Sequence, residues 1–118
     1  MVEFLDRAMS AHNLWKSRLR TAIEGGEIPD ERKTGADDLC DLGKWLYGGE
    51  STEYHSLLEF ADLKSKHAQF HMAAARVIGM IRKGKTTGAL GELRSGEYAK
   101  ASTSVILAIK ALKNRLGK

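Results

Sequence analysis

Proline, cysteine and long apolar runs are nearly missing from this sequence. Its 118 residues include one proline, Pro29, in a polar stretch, so long segments are free of the residue that breaks helices. The single cysteine, Cys40, excludes an internal disulfide. It suggests a reducing compartment, or a thiol kept for a metal or for chemistry. No window of about 18 uninterrupted apolar residues exists, so no membrane insertion is expected. The start, Met1-Val2-Glu3-Phe4-Leu5-Asp6, has an acid where the cationic flank of a signal peptide should be. A cytoplasmic location is therefore expected. Strand-like alternations between hairpin turns are missing too, as are internal repeats and low-complexity segments.

What is present fits an ordinary globular protein, with 42% apolar and 29% charged residues. The length suits one domain, residues 1–118, with one modest core. The net charge of +4 permits contact with nucleic acid or membrane but argues weakly for either. The densest basic stretch is the tail, with Lys110, Lys113, Arg115 and Lys118. Cations there favour a helix C-terminus. No aromatic stacking residues accompany them, so no nucleic-acid partner is expected.

Periodicity predicts helices throughout. Over residues 3–24, Leu5, Ala8, Trp15, Leu19 and Ala22 share one face, and the missing step between 8 and 15 is His12. Gly25-Gly26 ends this helix. Residues 25–36 read as a polar loop. A short helix is expected from Asp37 or Asp38, either of which could cap it, and it carries Cys40 in its first turn. Gly48-Gly49 stops it. A long helix is expected from Ser51 or Thr52 to about Lys83, with Leu57, Phe60, Lys64, His67, His71, Ala74, Ile78 and Ile81 inward. A last helix runs from Thr87 to Leu116, with a possible break at Gly91 or Gly96. The expected fold is all-α, an antiparallel four-helix bundle with a short extra helix carrying the cysteine.

His67 and His71 stand four residues apart, on one side of one helix, where two imidazoles can share a metal. His12 lies on its own helix's inward face. Taken singly, an inward histidine is more often a hydrogen-bonded core residue, and a buried cysteine a small hydrophobe. Together, three imidazoles and a thiol in one small core need polar partners. One zinc ion per chain, in a closed site of His12, Cys40, His67 and His71, satisfies all of them. His55 is excluded, because twelve residues of straight helix before His67 rise about 18 Å. Asp37, Asp38 or Asp41 could orient a histidine N–H. Trp15 and Trp45 could wall the site, although plain core packing explains both.

Three segments, His12-Asn13-Leu14-Trp15, Cys40-Asp41-Leu42-Gly43-Lys44-Trp45-Leu46 and His67-Ala68-Gln69-Phe70-His71, resemble the chemoreceptor zinc-binding (CZB) domain family. That family's pattern is H-x-x-W, C-x-L/F-G-x-W and H-x-x-x-H, in this order. The resemblance implies a zinc site of His12, Cys40, His67 and His71. It also implies a cytoplasmic regulatory module that forms a homodimeric helical bundle. Such modules are commonly attached to chemoreceptors or diguanylate cyclases, and the resemblance is compatible with redox sensing, including of hypochlorous acid. Leu58, Ala61 and Ala68 form a second apolar row beside that of Leu57, which also suits a homodimer. An enzyme is not expected. Ala68 stands where H-E-x-x-H proteases place glutamate, and four protein ligands leave no place for water. A purely structural zinc protein or a zinc buffer is the alternative to a sensor.

Overall fold

The computed structural model describes residues 2–117. Met1, which heads the acidic start, and Lys118, the last cation of the tail, lie outside the described residues. Helix α1 spans Val2–Ile23 and buries Leu5, Ala8, His12, Leu19 and Ala22 along one face. It stops where expected. Gly25 has φ of 99°, the Gly26 N–H donates to the Thr21 carbonyl at 2.9 Å, and the Gly25 N–H donates to Ala22 at 3.2 Å. This left-handed stop strongly favours glycine.

The stretch read as a polar loop contains a short helix, α2 (Glu31–Gly35). Asp30 caps it by accepting from the Lys33 N–H at 2.8 Å. One turn of polar residues has no apolar period to reveal it, and α2 is held by packing on the long helix that follows. Helix α3 (Asp41–Tyr47) begins later than expected, and its cap is Cys40 rather than Asp37 or Asp38. The segment Gly49–Tyr54 is a 3₁₀ turn, so α4 starts at Leu58 rather than at Ser51 or Thr52, and runs to Arg82. Gly84, with φ of 77°, ends it. Helices α5 (Thr86–Ser95) and α6 (Glu97–Leu116) are separated at Gly96, one of the two positions where a break was expected.

The described residues form the expected all-α bundle. Helix α6 runs antiparallel to both α1 and α4. Lys113 near its end lies 2.7 Å from Asp6 near the start of α1, and Arg115 lies 3.8 Å from Glu59 near the start of α4. The limb between α1 and α4 descends along α4. Glu31 lies near Gly79 and Gly35 near Ala75, Thr34 bonds His71, and Trp45 packs at a tilt against Phe60. The short cysteine helix is thus the lower half of a broken descending limb, with α2 as its upper half.

Helix α4 is covered from several sides. It buries Leu63, Phe70 and Val77 as well as the expected Phe60, His67, His71, Ala74, Ile78 and Ile81. Lys64, placed inward by the sequence, is only half-buried. Its ammonium lies 4.6 Å over the Tyr47 ring, so the alkyl stem covers the core while the charge stays near water. Leu58 is 84% exposed.

Candidate metal centre

Helix α4 carries two donors. His67 is fully buried and His71 nearly so, one turn apart, with their Nε2 atoms 3.0 Å from each other. Helix α1 brings His12 against both, with ring centroids 5.0 Å from His67 and 5.6 Å from His71. The descending limb brings Cys40, whose Sγ lies 3.2 Å from His67 Nε2 and 3.6 Å from His71 Nε2. One donor atom from each of these four residues lies within 4.8 Å of all the others. All four sequence-derived candidates are therefore brought together, from three separate parts of the chain.

The tautomers explain which atoms converge. The Nδ1–H of His71 donates to the Thr34 carbonyl at 2.8 Å. That of His12 donates to the Ala8 carbonyl, one turn back on α1, at 2.7 Å. Each bond commits the ring to a protonated Nδ1 and leaves an Nε2 lone pair facing inward. His12 Nε2 is buried without a hydrogen-bond partner, and so is His67 Nδ1. A buried imidazole lone pair without a partner is costly, and His71 Nε2 faces His67 Nε2 closely. A cation takes up the His12 lone pair and separates the two facing Nε2 atoms, while His67 Nδ1 stays without a hydrogen-bond partner.

The spacing suits zinc. An ion about 2.0–2.1 Å from nitrogen and about 2.3 Å from sulfur sets tetrahedral donors roughly 3.3–3.6 Å apart, close to the 3.0–3.6 Å among Cys40, His67 and His71, with the whole set including His12 within 4.8 Å. Three imidazoles and a thiolate are also donors this metal favours.

Burial sets the electrostatics. His12 is pushed down to about 4, chiefly by loss of solvation, which the Ala8 bond partly opposes. His67 falls to about 3, by burial and then by repulsion from His71 and His12. His71 is also lowered by burial, against the Thr34 bond and the Asp37 charge. All three are neutral at pH 7, the form that ligates. Burial pushes the Cys40 thiol up. The Gly43 N–H, donating to Sγ at 3.3 Å, works the other way and is the weaker effect. A bound metal would supply the charge that makes this sulfur a thiolate.

A family model for the chemoreceptor zinc-binding domain matches residues 12–78. This chain belongs to the CZB family. The matched span begins at His12 and holds the whole cluster. Comparison of the CZB chain with curated proteins and with solved structures gives no match.

The supporting shell differs from the sequence expectation. Backbone carbonyls of Ala8 and Thr34, rather than an aspartate, take the ring N–H groups of His12 and His71. Asp37 accepts instead from the Tyr47 hydroxyl, and Asp41 is exposed. Trp45 packs among Phe4, Tyr54 and Phe60, as core packing requires. Trp15 lies under the Arg18 guanidinium, 3.9 Å from the ring. His55 belongs to neither α4 nor the cluster. It follows the 3₁₀ turn, with its Nε2 3.1 Å from Ser51 Oγ. Gly43, a letter of the second motif, has a steric role. A Cβ there would collide with the Asp37 carbonyl. A glycine inside a seven-residue helix was the available signal.

Proposed function

We propose that His12, His67 and His71, through Nε2, and Cys40, through Sγ, hold one zinc ion per chain. The observation that carries this reading is the convergence of three neutral imidazoles and one thiol within 4.8 Å, with the His12 lone pair buried and unpartnered. When bound, zinc supplies a fixed positive charge at the centre of the bundle. The protein's own groups do the rest. Ala8 and Thr34 orient two rings, Gly43 lets the Cys40 limb close down, and α2 covers His71. A closed set of four donors leaves no open position, so the domain acts without catalysis.

The same reading extends to signalling. The chain acts as a cytoplasmic, homodimeric regulatory domain of a bacterial chemoreceptor or diguanylate cyclase pathway. Zinc occupancy, or oxidation of Cys40, is its input. The family's description as a chemoreceptor domain supports this. So does the make-up of the cysteine limb, where short elements are easily released. Exposed Leu14, Met72 and Leu107 provide apolar surface for a second copy. No helix among the described residues is long and apolar enough to cross a membrane.

The deciding experiment is elemental analysis of untagged protein, expected to give about one zinc per chain. Folded protein that neither contains nor takes up zinc would refute the site. If zinc is bound, light scattering separates the sensor from a monomeric structural zinc protein. A monomer at tens of micromolar would count against the dimeric sensor.

A further inference from the structure

A cavity of about 500 Å³ lies between α1 and the start of α3. Phe4, Arg7, Ala8 and Ala11 line one side, and Asp41 and Leu42 the other. His12 and Cys40 also line it, whereas His67 and His71 do not. His67 is fully buried and His71 is 3% exposed. On the far side α2 packs along α4, and the Thr34 carbonyl holds His71. The four donors therefore differ in access. His67 and His71 belong to the inner wall. The His12 ring borders the opening but is as buried as His71, with its Nε2 buried, and half-buried Cys40 is the donor that faces the opening.

We propose that zinc enters and leaves through this α1–α3 cavity, by ligand exchange at the His12 and Cys40 side of the site. The inference rests on the zinc reading above. A tetrahedral ion gives up a ligand only as another donor takes its place, and that donor must approach from a side not filled by protein. This cavity reaches the Cys40 side of the site, beside the His12 ring, without moving α4 or unseating α2. His67 and His71, rigid on one buried helix, are the first to hold the incoming ion and the last to release it. Arg7 lines the cavity as an exposed cation, across from the exposed Asp41 carboxylate, which favours the ion. The Arg7 charge opposes a bare divalent ion on its way in.

Ala11 is exposed and lines the cavity, so a large side chain fits there without entering the core. Ala11→Trp is expected to slow both zinc uptake and zinc removal by a chromophoric chelator, each by about tenfold, a single decade of barrier. The equilibrium affinity stays the same, because both rates change together. Arg7→Ala is expected to act oppositely, speeding uptake, and more so at low salt. Ala111→Trp, at an exposed position of α6 that does not line the cavity, is the control and keeps wild-type rates. Circular dichroism checks that each variant is folded. If Ala11→Trp misfolds, Arg7→Ala carries the test alone. Wild-type rates in a folded Ala11→Trp, or slower uptake in Arg7→Ala, would overturn the proposed route. Failure of the unmodified protein to bind zinc at equilibrium would instead overturn the site itself, so the two failures are distinct.

Discussion

Helix α4 and the limb between α1 and α4 contribute to the same centre in opposite ways. Helix α4 is one continuous rod of 25 residues. Its two histidines are placed by helical period alone, and a wide buried face holds them. The limb is a chain of short pieces, α2 with 5 residues and α3 with 7. Neither is long enough to be stable by itself. Cys40 is placed there by a cap, a close approach to glycine and a few side-chain bonds. Periodic donors thus come with their own rigidity, while a donor on a broken limb depends on local contacts that single substitutions can remove.

The largest effects should come from the donors. His67→Ala or His71→Ala is expected to weaken zinc binding by more than about a hundredfold, beyond what loss of an outer-shell partner causes. His55→Ala should leave it within about twofold, because His55 lies outside the cluster. Competition against a chromophoric chelator measures all three. Equal losses would erase the distinction between α4 and its surroundings.

Next comes the glycine of the limb. Gly43→Ala pushes a methyl group into the Asp37 carbonyl, and forced overpacking costs about 1–3 kcal/mol. The lower stability should be seen in urea unfolding, together with weaker zinc binding because Sγ moves with the limb. An equally compact α4 position, such as Gly79→Ala, meets only the flexible Glu31 carboxylate at 3.2 Å. It should be tolerated better. The reverse order would show that the limb is not the more delicate partner.

Acid should act on the metal-free protein through the histidines. Their folded values lie below the ordinary value of 6.5, with His12 at about 4 and His67 at about 3. The unfolded chain therefore binds more protons as pH falls below about 6.5. Stability is complete above that value and declines between it and the folded values. Thermal melts of metal-free protein at pH 7.5 and pH 5 should show the lower midpoint at pH 5. A flat profile would mean that the histidines are solvated rather than buried.

The smallest effect is expected at the Tyr47–Asp37 hydrogen bond, which joins the two ends of the Cys40 turn. The bond is exposed, so Tyr47→Phe should cost no more than about 1 kcal/mol overall. Its signature is local. Amide exchange should quicken across residues 37–47 and stay unchanged along α4. A uniform change would indicate that limb and helix open together.

Much of this is legible in the sequence. His67 and His71 could be paired by spacing, and His12 filled a gap in an apolar face, because helical geometry repeats regularly enough to be counted along a chain. The glycine stops at Gly25 and Gly84 follow from backbone sterics, and both fall where the sequence reads the end of a helix, at Gly25-Gly26 and in the turn Lys83-Gly84-Lys85. What the tertiary structure decided depends on contacts between distant residues. Whether Lys64 or Leu63 faces inward follows from how many neighbours cover α4. The helix formed by Glu31–Gly35 exists because α4 offers it a surface. Asp37 lost its expected role at a histidine because carbonyls of Ala8 and Thr34 were already in reach. Backbone carbonyls are the same at every residue, so no letter of the sequence marks the ones that a fold will use.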